Sequence, residues 1–341
     1  MDAALFDQLL TAAVKAGISD IHMKVGSPII VRDSGHLVPV TEAALSGEDL
    51  ERIIMRLLVQ SAARRGSSLD MNQLENLTDY DTSFSLQGVG RFRVNIYRQR
   101  GTLSVSMRVI PSDIPQIEGL QLPEVLGEIA LEPRGLVLLT GTTGSGKSTT
   151  LAAMLDHINH TVSRKIITIE DPIEFLLGDE KCFITQREVH ADTESFAMAL
   201  RAALRQDPDV IMIGEMRDRE TIDIALKAAE TGHLVFSTVH TTDAEGTISR
   251  LIGAFDLSEQ AAVRLRMTDS LRAVISQRLV SRQEGDRRVA AVEVMRMTQL
   301  IKERVLSADT RGLRELIEKG AHPYRMQTFD QHLTQLVKQG I

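Results

Sequence analysis

The chain has 341 residues, a formal net charge of −7 and a sequence pI near 5.8, with 43% apolar residues and a single cysteine. That length exceeds one usual hydrophobic core, so two domains are expected. The acidic balance argues against a protein whose main surface tracks nucleic acid. Cys182, being alone, excludes an internal disulfide and a cysteine zinc site; it reads as a buried, inert thiol in a reducing cytosol. No apolar run approaches the roughly eighteen residues of a membrane helix. Asp2 and Asp7 spoil the positive start of a signal peptide, so any membrane association is expected to pass through a partner.

In chain order, Leu5, Leu9, Leu10, Ala13 and Val14 carry helical spacing, stopped by Gly17. Asp20 and His22 then alternate with Ile21 and Met23, the pattern of a half-buried strand with its polar pair outward; two ligands without a third make a poor metal site. A short strand Ile29–Arg32 turns at Gly35. Residues 48–77 read as helical, with a polar connection around Arg64–Ser68. From Ser83 to Val109 a hairpin turns at Gly88–Gly90. Phe92, Val94 and Ile96 alternate with Arg91, Arg93 and Asn95, and Leu103, Val105, Met107 and Val109 alternate with Ser104, Ser106 and Arg108. Period two places one face on a core and leaves the other polar and arginine-rich, which in the plainest case is a solvated sheet face.

Pro111, Pro115, Gly119 and Pro123 mark a linker, giving a first domain over 1–110, a linker over 111–123 and a second domain over 124–341. In the second domain short apolar strands at Leu136–Leu139, Ile166–Ile169, Val210–Ile213 and Leu234–Val239 are each followed by helical spacing. That alternation predicts an α/β fold with a parallel sheet covered by helices. The stretch from about 258 to 341 reads as mostly helical, broken by a strand at Val289–Val294 and a turn at Gly320–Pro323.

The nine residues Gly141, Thr142, Thr143, Gly144, Ser145, Gly146, Lys147, Ser148 and Thr149 match the phosphate-binding pattern G-x-x-x-x-G-K-[ST], between an apolar strand and a helix. Glycines let successive N–H groups turn toward an anion, and the following helix N-terminus favours negative charge. Lys147 is expected against the β/γ-phosphates of ATP and the Ser148 hydroxyl on Mg²⁺. Ligands of parallel sheets bind beyond the carboxyl ends of strands, which selects Glu170 and Asp171, Gly214 and Glu215, and His240. An isolated acidic pair is ordinarily a loop or helix cap; the shared position beside a P-loop is what singles these out. Glu215 reads as the general base, Glu170 and Asp171 as residues that hold or order Mg²⁺, His240 as a γ-phosphate sensor and His233 as a second candidate for the nucleotide. Beyond Lys147 this domain shows no obvious positive charge for the transition state, although Arg201, Arg205 and Arg217 are available, so Arg93 and Arg108, with Arg98 third, are candidate arginine fingers reaching a nucleotide across a domain or subunit boundary.

With these motifs in view, the chain resembles the retraction ATPases of type IV pili, the PilT/PilU branch of the secretion ATPase superfamily. The resemblance rests on Ser19–His22, Gly90–Val94, the P-loop, Ile169–Phe175, Gln206–Asp218 and Thr231–His240. It implies a RecA-like P-loop NTPase core with an N-terminal α+β PAS-like domain, and a homohexamer holding ATP between domains. It further implies a cytoplasmic motor, peripheral at the inner membrane, acting on a PilC-like platform protein and in some cases beside a paralogous retraction ATPase. Its catalytic carboxylate falls on Glu215, its histidines on His233 and His240, and its trans-acting arginines on Arg93 and Arg108. The lone cysteine cannot build the four-cysteine zinc module of extension and type II secretion ATPases. Gly312–Lys319 keeps only Arg314, Leu316 and Ile317 of the retraction motif A-I-R-N-L-I-R-E, which leaves open main motor and accessory paralogue alike. A DNA motor and a non-hydrolysing adaptor are the competing readings, the first disfavoured by charge and the second separated by turnover.

Overall fold

A computed structural model describes residues 2–65, 77–282 and 288–341. The chain forms two compact units. The first comprises Met1–Asp113 with Pro172–Leu176 and Glu188–Asp192, and the second Ile114–Asp171, Leu177–Arg187 and Thr193–Ile341.

The first unit holds a six-stranded sheet in the order β3-β2-β1-β6-β5-β4, formed by β1 (Asp20–Lys24), β2 (Ile30–Asp33), β3 (His36–Pro39), β4 (Asp79–Leu86), β5 (Gly90–Gln99) and β6 (Thr102–Ile110). Helices α1 (Ala3–Lys15) and α2 (Gly47–Arg65) accompany it. The Asp2 carboxylate caps α1 by accepting from the Leu5 N–H at 2.8 Å. Alternation works as expected: Ile21, Met23, Phe92, Val94, Ile96, Val105 and Met107 are at most 2% exposed and form one core with Phe6, Leu10 and Leu57. Strand pairing then aligns Arg32, Asp20, Arg108, Arg93 and Ser83 in one cross-strand row. Helix α2 ends at Arg65, and the polar connection expected around Arg64–Ser68 continues outside the described residues.

The second unit is α/β. Its seven-stranded sheet runs β13-β12-β7-β11-β10-β8-β9, from β7 (Gly135–Thr140), β8 (Lys165–Glu170), β9 (Phe183–Glu188), β10 (Val210–Ile213), β11 (Leu234–Val239), β12 (Leu271–Ser281) and β13 (Arg288–Arg296). The central pairs β12·β7, β7·β11, β11·β10 and β10·β8 are parallel, and β13 is antiparallel to β12. Its helices are α3 (Val125–Ala130), α4 (Lys147–Thr161), α5 (Phe196–Ala203), α6 (Arg219–Glu230), α7 (Ala244–Gly253), α8 (Gln260–Ser270), α9 (Gln299–Leu306), α10 (Leu313–Lys319), α11 (Ala321–Tyr324) and α12 (Phe329–Lys338). Leu136, Val137, Leu138 and Leu139 are at most 1% exposed, each worth about 1.5–3 kcal/mol of burial. Ile117 and Leu122, within the proline-marked stretch, are buried in the same core.

Two elements differ from the sequence reading. The segment 271–281, read as helical, is the longest strand of this sheet, because its run Ala273–Gln277 is buried throughout and carries no alternation to betray it. The turn at Gly320–Pro323 is a single helical turn, α11, following the end of α10 at Gly320.

Candidate active site

The β7 strand ends at Thr140 and the P-loop comes next, feeding α4 at Lys147. Gly144 and Gly146 adopt φ of 76° and 87°, which L side chains resist. The Lys147 ammonium folds back to donate to the carbonyls of Gly141 and Thr142, both at 2.9 Å, and the residue is 8% exposed. Ser148 and Thr149 lie half-buried in the first turn of α4, and the Ser145 hydroxyl is buried without a hydrogen-bond partner. A loop of left-handed glycines, a lysine beneath it and an unsatisfied hydroxyl at a helix N-terminus together fit a polyphosphate. The loop borders a cavity of about 330 Å³ whose other walls are Thr242, Gln277, Arg278, Leu279 and Arg288.

Parallel pairing carries the remaining second-unit candidates, apart from His233, to the same edge as the loop. Thr140 stands level with Val239 on β11 and with Ser276 on β12, and Ile213 stands level with Ser237 and with Ile169. Glu170 closes β8, is 7% exposed, and accepts from the Thr168 hydroxyl at 2.6 Å and the Gln186 amide at 3.1 Å. Asp171 is its neighbour in the chain and is exposed.

Glu215 sits in a loop stitched to both neighbouring strands. Gly214 N–H donates to the Ile169 carbonyl at 2.7 Å, Met216 N–H donates to the Thr238 carbonyl at 3.1 Å, and the Thr238 hydroxyl donates to the Gly214 carbonyl at 2.6 Å. These bonds fix the Glu215 backbone while its carboxylate meets Arg217 Nε at 2.7 Å and His240 Nε2 at 3.5 Å. Sequence alone does not show that Arg217 and His240 share one carboxylate.

His233 is not brought to this cluster. Its carbonyl accepts from Gly135 N–H, at the start of β7, so it stands at the opposite edge of the sheet from the P-loop. Six strand residues at about 3.3 Å each separate the two edges by close to 20 Å. Its ring faces the Ala228 carbonyl at 2.9 Å and the Thr231 hydroxyl at 3.2 Å, a local contact at the end of α6. His233 thus stands apart from the P-loop of its own chain.

In the first unit the three candidate arginines differ. Arg98 donates to the carbonyls of Leu77 and Gly101, bracing the β5–β6 hairpin. Arg108 pairs with Asp20 at 2.8 Å. Burial works to raise the Asp20 pKa, but the hydrogen bonds from Arg108 and Ser19 and the guanidinium charge outweigh it and hold the carboxyl below its ordinary value. The Arg93 side chain is exposed, with no hydrogen bond or ion pair among the described residues.

Two residues escaped the sequence reading, Gln277 and Arg278, both on β12. Arg278 stacks on the Phe329 ring at 4.2 Å and adds a guanidinium to the cavity wall. Only the strand assignment of 271–281 brings them to the P-loop. Among the described residues no group of three or more His, Cys, Asp or Glu side chains could enclose a metal ion. Mg²⁺ ordinarily needs only one or two protein ligands beside phosphate oxygens and water, for which Ser148 and the Glu170–Asp171 pair are the available donors.

Residues 2–318 match the family described as type II/IV secretion system protein. The chain belongs to that family. It is 43% identical to the type IV pilus retraction ATPase PilT of Pseudomonas aeruginosa over 334 residues, covering 98% of this chain and 94% of the relative. The type IV pilus ATPase PilU of the same organism is 39% identical over 98% of this chain and 85% of its own length. A crystal structure of the pilus retraction motor PilT with bound ADP superimposes with a TM-score of 0.84 at 40% identity, covering 98% of this chain and 93% of that one. Membership makes the chain a P-loop ATPase with a nucleotide-binding α/β unit. No helix among the described residues is long and apolar enough to cross a membrane.

Proposed function

We propose that the protein is a Mg²⁺-dependent, hexameric ATPase motor that powers type IV pilus retraction from the cytoplasmic side of the inner membrane, acting through a membrane platform protein of the PilC kind. One observation carries this reading. The P-loop, Glu170, Glu215 and His240 meet at one edge of a parallel sheet, in a chain related over nearly its whole length to a pilus retraction ATPase.

The chemistry assigned to these side chains is phosphoryl transfer to water. The loop N–H groups and Lys147 would hold the β- and γ-phosphates, and Ser148, with Glu170 and Asp171, would hold Mg²⁺, which would supply positive charge on the phosphate oxygens. Glu215 orients the attacking water and takes its proton as the oxygen bonds to the γ-phosphorus and ADP departs with the electrons of the broken P–O bond. Arg217 and His240 steer the Glu215 carboxylate. Arg93 and Arg108 are proposed to complete the charge at the γ-phosphate of a neighbouring subunit, where an arginine finger is worth about 10³–10⁵ in rate. Arg108 must first leave Asp20.

Purified wild type and Glu215→Gln, compared for ATP binding and turnover, test the hydrolytic half of the proposal. A motor binds ATP in both and turns over only in the first, whereas an adaptor shows negligible turnover in either. A deletion strain tests the mechanical half: it should stay piliated and lose twitching. The departures in Gly312–Lys319 and the 39% identity to PilU keep an accessory motor as the second reading. Partial rather than complete loss of twitching in the deletion strain would select it.

A further inference from the structure

We propose that Gln277 is a positioning residue that sets the phosphate-binding shape of the P-loop from the neighbouring strand β12. This deepens the nucleotide-site reading and rests on it. The side chain is 3% exposed and both ends of its amide are used: Nε2 donates to the Ser145 carbonyl at 2.7 Å, and Oε1 accepts from the Thr150 hydroxyl at 2.8 Å. One amide thus ties the loop, at Ser145, to the first turn of the adjoining helix, at Thr150. Holding the Ser145 carbonyl against Gln277 fixes the peptide plane whose opposite side carries the Gly146 N–H, one of the loop donors a phosphate would use.

The glycines of the loop record the same approach. A Cβ added at Gly141 would lie 2.4 Å from the Gln277 carbonyl oxygen, and one at Gly146 would lie 2.7 Å from its Nε2. Both are far inside contact distance, so these two glycines admit the body of Gln277 as well as a ligand. A buried amide satisfied at both ends resists replacement, because each lost arm leaves a buried polar group unpaired.

The experiment uses the full chain, with Gln277→Leu, Gln277→Glu, Thr150→Val and the Leu/Val double variant, titrated with fluorescent ATP and ADP in Mg²⁺ buffer and assayed for turnover and melting. Gln277→Leu should weaken ATP and ADP alike by about ten-fold or more, because it removes both arms and leaves the Ser145 carbonyl and the Thr150 hydroxyl without them. KM should rise in step while kcat changes little. Gln277→Glu keeps the acceptor for Thr150 but sets an oxygen against the Ser145 carbonyl, and should bind worse still. Thr150→Val should lose less, and the double variant no more than Gln277→Leu, since both cut one clasp. Affinities for ATP and ADP within two-fold of wild type in Gln277→Leu, with only the melting temperature lowered, would overturn the proposal. If Gln277→Leu does not fold, unchanged binding by Thr150→Val overturns it instead. Failure of wild type to bind ATP would remove the nucleotide site itself, and this inference with it.

Discussion

The two sheets bury their strands in opposite ways, and each exposes function where its burial leaves room. In the antiparallel sheet of the first unit one face is core, and the other carries exposed Arg93 and Arg108 beside buried Ser83. Candidate chemistry there lies across strands, in the row Asp20, Arg108 and Arg93. In the second unit β7, β10 and β11 are buried along their whole length, so no face is free and chemistry is confined to the strand ends. A face presents long charged side chains outward, suited to a partner's ligand. An edge presents loops and helix N-termini, suited to holding a ligand of its own.

The largest expected effect would break this contrast most directly. Arg93→Ala or Arg108→Ala, in the assembled oligomer, should cut ATP turnover by about 10³-fold or more while ATP affinity of the isolated chain stays unchanged. Steady-state turnover of mixed wild-type and mutant assemblies measures it, and a loss under ten-fold returns the arginine row to an ordinary solvated face. Next, Glu215→Gln should lower turnover by about 10²–10⁴-fold with ATP still bound, as nucleotide titration beside a phosphate-release assay will show.

A smaller effect sharpens the contrast between the two cores. Phe92 and Phe236 are both fully buried, one in each unit. Either change to Ala should cost about 3–5 kcal/mol. Calorimetry with nucleotide present should show added stabilisation by ATP falling in Phe236→Ala, whose strand β11 flanks the P-loop strand, and persisting in Phe92→Ala.

The smallest effects are those of pH. Burial pushes the Glu293 carboxyl up, with repulsion from Asp243 adding to it, against hydrogen bonds from the Ala244 N–H and Ser276 and the attraction of Arg278. Its contribution is full below the unfolded value of about 4.3 and is lost as pH rises through the raised folded value. Glu293→Gln should flatten that slope in urea midpoints measured between about pH 4 and 8. Burial lowers the pKa of His332, whose Nδ1 accepts from the Val292 N–H at 3.0 Å, so its sign is reversed. Its stability is full above about pH 6.5 and lost as pH falls toward the lowered folded value, a trend that His332→Gln should reduce.

Strands with alternating residues, such as Arg91–Arg98, and the P-loop between its strand and helix were legible because their periods or turn residues are local properties of the chain. The segment 271–281 was not, since a strand buried on both faces has no period to distinguish it from a buried helix. The site divided in the same way. Glu170, Glu215 and His240 were legible from their places at the carboxyl ends of apolar runs, while Gln277 and Arg278 were missed along with the strand that carries them. His233 precedes β11 where His240 comes after it, and polarity along the strand decides which edge a residue reaches.

Sequence by itself determined that this chain grips a phosphate, builds a parallel sheet and keeps an arginine-bearing face, because glycine geometry and hydrophobic period act over a few neighbouring residues. Tertiary structure alone decided that Asp20 holds Arg108, that Arg217 and His240 share Glu215, and that Gln277 clasps the P-loop from 132 residues away to Ser145. Those pairings depend on strand order and register, which are set by how whole elements bury their surfaces together and leave no local trace in the chain.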